Sequence, residues 1–292
     1  MTCIAVSQTA DATGGYYRYA FPPPGFPDYP KWGLTRRVYY QTQNDFGAGV
    51  SFQGVNVCAY DAHLMLRGSP KATQVCILDN SDGTLFDDSM LPADDDSDPG
   101  PTRSEVLMGS IDNFLPGDSH VYEYIFKVDF KQPVNSTLAG VNGSMPISVP
   151  AFNLALCASG ALLTTVCVPQ PDTTDQLDTL GDRLMYRLAH FVDDRGRQHF
   201  LATHSVNNST AVAVRWYEFQ ARGEGSTSLS LHQSGQTPDD GHYRWMGSGA
   251  MDKMGTSLLG TAVRVQPQVI TRRSTTPVRG RVIVSAPPGR GL

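Results

Sequence analysis

The stretch GDRLMYRLAHFVDDRGRQHFLATHSVNNSTAVAVRWYEFQ (181–220), followed by LSLHQSGQ (229–236) and YRWMGSGAMDKMGTSLLGTAV (243–263), decides the fold. Arg183 to Phe191, His199 to Val206, Ala211 to Gln220 and Leu229 to Gln233 are rich in Leu, Val, Tyr, Phe and Trp, and Gly, Asn, Asp or Ser separates them. Short bulky runs bounded by turn formers read as consecutive strands. Val212, Val214 and Trp216 alternate with Ala213, Arg215 and Tyr217, which puts bulk on both faces, as a strand buried between two other layers requires. The expectation is an all-β chain.

Composition agrees. Charged residues are 17 %, against the usual quarter, while Gly (28) and Pro (20) are abundant enough to demand many turns. At 292 residues the chain can bury a large all-β core as one domain. Net charge is −5, which gives no electrostatic footprint for nucleic acid. No apolar run approaches the ~18 residues of a membrane helix, and no export signal stands at Met1.

Outward from the deciding stretch, Cys3 to Phe21 reads as a hairpin around Asp11-Ala-Thr-Gly14. The unit Asp-x-x-Gly recurs at Asp193–Gly196 and Asp252–Gly255, and suits a type I turn closed by Gly in the left-handed region. Its spacing hints at a repeat on the order of 60 residues, longer than common propeller repeats. Phe21 to Trp32 (FPPPGFPDYPKW) reads as a Pro-rich loop. Leu34 to Gln41, Gly54 to Tyr60 and Thr73 to Leu78 complete a first four-stranded unit, and Val121 to Phe130 is the next clear strand. Residues 79–118 between them read as a long acidic insertion. The expected organisation is β-propeller blades, or part of a propeller of four-stranded antiparallel blades, over residues 1–263. A basic Pro/Gly-rich tail at 264–292 is expected to be disordered.

Cys58 and Cys76 lie in neighbouring strand-like runs, Cys157 and Cys167 bracket a short loop, and Cys3 is left over. Two bridges and five buried thiols are both compatible with this arrangement.

The phrases LGDRLMYRLAHF, ATHSV, AVRWYEF and YRWMGSGAMDKMGTSLLG resemble those of large, uncharacterised, secreted bacterial β-propeller proteins, as do CIAVSQTADATGGYYRYAF and LPADDDSDPGP. The resemblance covers Cys3 to Val263 and implies a propeller and an extracellular or periplasmic location. It implies no catalytic residues.

The sharpest chemical signal is Asp94-Asp-Asp-Ser-Asp-Pro-Gly-Pro-Thr-Arg-Ser-Glu105. Asp94, Asp96, Asp98 and Glu105 occupy positions one, three, five and twelve of a twelve-residue calcium loop, in which hard oxygen ligands wrap one ion. Position six is Pro99 where such loops need Gly, and no flanking helices are evident; the competing reading is a solvated acidic loop.

There is no G-x-S-x-G and no metal-ligating histidine cluster, and a regular strand sends His199 and His204 to opposite faces. Two function classes follow. One is a hydrolase in which Ca²⁺ helps water open a small lactone or ester, with His204 or Asp252 as base. The other is a noncatalytic extracellular module that binds glycan or protein through Arg215, Trp216, Arg244 and Trp245. A weaker third is a glycoside hydrolase using carboxylates among Asp182, Glu218 and Asp252. Arginines in buried strands need partners, so Arg183, Arg187, Arg215 and Arg244 are expected beside acids such as these.

Overall fold

The computed structural model describes residues 1–23, 25–47, 51–79, 87–95, 104–111, 118–140, 145–159, 162–208, 211–222, 228–252 and 255–264. Among these described residues the protein is mostly β, 67 % strand with one short α-helix.

A hairpin of β1 (Thr2–Ser7) and β2 (Tyr16–Phe21) opens the chain. Strands β3 (Pro27–Leu34), β4 (Val38–Gly47), β5 (Ser51–Asp61) and β6 (Gln74–Asp79) follow as an antiparallel sheet in chain order, with α1 (Ala62–Met65) between the last two. A second meander comprises β7 (Asp87–Asp95), β8 (Ser104–Ile111), β9 (Asp118–Lys127) and β10 (Thr137–Ala139), and β11 (Pro146–Phe152) shares the outer edge of β9. Two small hairpins come next, β12 (Cys157–Ser159) with β13 (Leu162–Thr164), and β14 (Val166–Pro169) with β15 (Gln176–Asp178). The deciding stretch forms a third meander of β16 (Leu184–Val192), β17 (Arg197–Asn207), β18 (Val212–Arg222) and β19 (Ser230–Gln236), then the hairpin β20 (Tyr243–Met251) and β21 (Ser257–Arg264).

These layers stack through their side chains. The first sheet packs on the second meander around Tyr40, Val57, Leu107, Tyr124 and Phe126. The opposite face of that meander meets the third around Leu91, Met108, Leu188, Phe200 and Tyr217. The outer face of the third, with Leu201, Val214 and Trp216, is covered by Met251 and Leu259 of the last hairpin. Each such large apolar side chain contributes about 1.5–3 kcal/mol on burial, so bulk on both faces of β18 is what holds it between layers.

Separate blades were the expectation, and among the described residues none is identified. The reason lies at one seam. β7 and β16 pair in parallel, Leu188 opposite Ala93 and His190 opposite Asp95, so two meanders fuse into a nine-stranded, mixed, curled half-barrel. Two further expectations are corrected. The 79–118 stretch contains β7 and β8, because Met90, Leu91, Ala93 and Val106 to Met108 form a buried apolar pairing between its acidic runs. The Pro-rich segment contains β3, a sheet-edge strand, where missing amide donors are tolerated.

The turn reading holds for two of its three copies. Gly196 and Gly255 adopt φ of 73° and 75° and donate to the carbonyls of Asp193 and Asp252. Gly14 makes the same bond to Asp11 without positive φ among the glycines that adopt it. Cys58–Cys76 and Cys157–Cys167 are disulfides, and Cys3 is an exposed free thiol. Two bridges are consistent with an oxidising extracellular or periplasmic location. No helix among the described residues is long and apolar enough to cross a membrane. The proposed tail from residue 265 onward lies outside the described residues.

Candidate functional site

The parallel seam ends in polar residues. Ala93 is the last apolar residue of β7, after which Asp94 and Asp95 leave the core, and β8 enters with Ser104 and Glu105. His190 of β16 sits opposite Asp95 in the register, and Gln198 and Phe200 come from β17. With Thr35 these residues line a small, partly open recess with a cavity volume of about 20 Å³, room for about one water or ion.

Glu105 is the chemically costly member. It is 3 % exposed, and its Oε1 has no hydrogen-bond partner among the described residues. Burial first, then the nearby Asp95, push its carboxyl well above the usual range; a hydrogen bond from the Ala93 backbone opposes this, and Asp94 adds a smaller push upward. Burying a carboxylate with one oxygen unsatisfied is unfavourable, which is why the neutral form of Glu105 gains ground here. His190 is buried, its Nδ1 3.6 Å from Asp95 Oδ1, and its ring stacks on Phe200 with centroids 4.4 Å apart. Asp94 points elsewhere, accepting from the Leu34 amide at 3.2 Å and pairing with Arg187 at 3.2 Å. It thereby ties β3 and β16 to the same strand end.

Of the four residues of the calcium-loop reading the recess takes in Glu105; Asp94 turns away to Leu34 and Arg187, and Asp96 and Asp98 lie outside the described residues. Among the described residues no group of three metal-ligating side chains is present. Asp95 and His190 are the members that sequence reasoning missed. The twelve-residue spacing selects alternate carboxylates and so skips Asp95, and His190 stands within the apolar run LMYRLAHFV, which reads as core.

No protein-family model matches this chain, and no curated protein is similar to it.

The other expected site residues are dispersed. His204 is fully buried, with Nε2 2.9 Å from the Tyr217 hydroxyl and its ring edge-on to Phe152. Burial, and then Arg215, lower its pKa to about 3, so it stays neutral in the core. Glu218 lies on the opposite face of the same sheet, bonded to His199, Gln220 and Gln233. The two histidines therefore do project oppositely. Asp182 chelates Arg183 through both oxygens, at 2.8 and 2.5 Å. Asp252 accepts from the Thr256 amide at the β20–β21 turn.

Trp216 and Trp245 are 4 % and 5 % exposed and pack in two different cores. Arg215 donates to Gln236 and to the carbonyls of Pro150 and Ala151, which clamps β11 to β18. Arg244 pairs with Asp240 at 2.7 Å. Paired arginines were expected, and Arg183, Arg187 and Arg244 each have a carboxylate; Arg215 uses amide and backbone oxygens instead.

Proposed function

We propose that the recess at the β7–β16 seam holds a divalent cation, calcium first among them, and that the protein hydrolyses a small lactone or ester there. The single observation that carries this reading is the orphaned, buried Glu105 Oε1 lining a recess beside Asp95. A cation would supply a counter-charge and a partner for Glu105 Oε1. The donor set fits: Asp95 and Glu105 carboxylates with the Thr35 and Ser104 hydroxyls are hard oxygen donors, which suit Ca²⁺ or Mg²⁺ rather than a thiolate-seeking metal.

Asp95 and Glu105 would hold the ion, which when bound supplies Lewis acidity toward a carbonyl oxygen and toward water. His190, oriented by Asp95 and by its stack on Phe200, would accept a proton from the attacking water and return it to the departing alkoxide. The water oxygen bonds to the carbonyl carbon as the ester C–O bond breaks, leaving acid and alcohol.

We also infer that the stacked meanders are successive blades of a partial propeller. Support comes from three four-stranded meanders and a hairpin packed face to face, with the first strand of each beside the first strand of the next.

The test is calcium titration by calorimetry into chelator-stripped protein, followed by a lactone and ester panel with and without the ion. Calcium-dependent turnover that Glu105→Gln abolishes supports the reading. Absence of both binding and turnover overturns it, and binding without turnover leaves a stabilising ion in a noncatalytic module.

A further inference from the structure

The four first strands break register at one equivalent place. The breaks fall between Asp28 and Lys31 in β3, Asp88 and Leu91 in β7, Met185 and Ala189 in β16, and Trp245 and Ser248 in β20. Three of them contain a non-glycine residue at positive φ: Tyr29 at 49°, Ser89 at 58° and Met246 at 52°. Tyr29 and Ser89 stand 60 positions apart (29 and 89), as do Tyr186 and Met246 (186 and 246). The strands also adjoin, β3 beside β7, β7 paired with β16 and β20 against β16, so the four breaks run as a line across the molecule.

Bulges re-aim side chains, and strained backbone persists where surrounding structure over-determines it, most often at functional sites. The side chains along this line have a coherent chemistry. Tyr186 is 43 % and Met246 37 % exposed, large apolar groups turned toward solvent. Lys31 Nζ lies 3.2 Å from the Tyr29 ring centroid, and Arg183 Cζ lies 4.9 Å from the same centroid. Arg183 is fixed by Asp182 and by donation to Ser89 Oγ at 2.9 Å, and Asn44 donates to that same hydroxyl at 3.3 Å. Lys31 is half-buried and donates to the Pro30 carbonyl at 3.5 Å. Burial, and then Arg183, hold the Lys31 ammonium below its ordinary pKa. Arg183 is already paired with Asp182, and Asp28 lies near Lys31, but Lys31 makes no ion pair among the described residues, so its ammonium is the cation open to an incoming anion.

We propose that this line is a binding site for a carboxylate-bearing carbohydrate. Lys31, seated on the Tyr29 ring, takes the carboxylate as a charge-assisted hydrogen bond, and the exposed Tyr186 and Met246 take the apolar ring faces. The site is separate from the recess, since Tyr29 precedes Thr35 by six residues of extended chain, about 20 Å at 3.3 Å per residue.

The probe is trigalacturonate, titrated by calorimetry at low salt into chelator-stripped protein, with neutral maltotriose as comparison. Trigalacturonate should bind at least about tenfold more tightly than maltotriose. Lys31→Gln and Tyr186→Ala should each weaken it about tenfold, and Lys31→Arg should restore most of the loss. Tyr186 is exposed, so its variant should keep the wild-type melting temperature, which separates loss of binding from loss of fold. Arg197→Gln, on the β16–β17 turn, and Glu105→Gln should leave binding unchanged, so this site can fail while the recess stands, or the reverse. No binding by the wild-type protein, equal binding of maltotriose, or equal loss in Arg197→Gln overturns the proposal.

Discussion

The imidazole of His199 is held between two carboxylates, its Nδ1 2.8 Å from Glu218 Oε1 and its Nε2 3.4 Å from Asp193 Oδ2. Burial opposes a charge on the ring, but the bonds to Glu218 and then Asp193 outweigh it, and the pKa is raised. Burial likewise opposes the Glu218 carboxylate, yet its bonds from His199 and Gln233 lower that pKa. Both shifts favour the charged forms, so the arrangement favours an ion pair. For His199 the stabilisation is complete below the unfolded value near 6.5 and is lost as pH rises through the folded one. Urea melts of the wild type and His199→Gln should therefore converge as pH rises above neutrality. At pH 6 the variant should be less stable by about 1–3 kcal/mol, because two buried carboxylates lose their donor. A difference that is flat with pH would show that the imidazole is not charged.

His204 predicts the opposite slope. Its pKa is lowered to about 3, so the folded protein keeps it neutral while the unfolded chain protonates near 6.5. Its contribution is whole above 6.5 and declines as pH falls toward 3. His204→Phe should be relatively more stable at pH 4 than at pH 8. Tyr217→Phe, which strips the 2.9 Å bond and leaves a buried ring nitrogen unsatisfied, should cost about 1–3 kcal/mol at either pH.

Glu123 is a third buried acid with pH consequences. Its Oε2 accepts from the Leu229 amide at 3.1 Å, and burial, against that bond, raises its pKa to about 7. A folded pKa above the unfolded one stabilises at low pH and loses that contribution as pH passes 7. Glu123→Gln should accordingly match the wild type at pH 5 and exceed it at pH 8.5, by on the order of 2 kcal/mol. Thermal melts at the two pH values decide it.

The two disulfides close short stretches, 18 and 10 positions apart. Loop entropy assigns each about 3 kcal/mol. Under denaturing, non-reducing conditions a thiol reagent should modify one cysteine, Cys3; reductant should expose all five and lower the melting temperature. More than one reactive thiol before reduction would contradict the pairing.

The all-β class was legible because β16 to β19 are built from short bulky runs separated by Asp-Arg-Gly, Asn-Ser and Gly-rich breaks, and period-two burial leaves its mark on sequence. The seam was not. Leu188 meets Ala93 through backbone bonds, and nothing in either residue names its partner across 95 positions (93 and 188). For the same reason the recess was half visible. Glu105 could be found from its place at the end of an acidic run, whereas Asp95 and His190 acquire meaning only from their register. Trp216, named for ligand binding, packs in the core instead, because a strand covered on both faces carries no polar side to reveal which way a ring points.

The seam also sets an order of assembly. Each meander closes through contacts between neighbours in the chain, whereas joining β7 to β16 must overcome the loop-closure entropy of nearly a hundred intervening residues. Local sheets form early and the zipper between them closes late. The recess takes Asp95 and Glu105 from one side of that zipper and His190, Gln198 and Phe200 from the other, so it does not exist in any half-folded chain. If the recess takes a cation as proposed, its capture in a refolding experiment should lag behind the far-ultraviolet signal of strand formation, making the site a chemical timestamp for the end of folding.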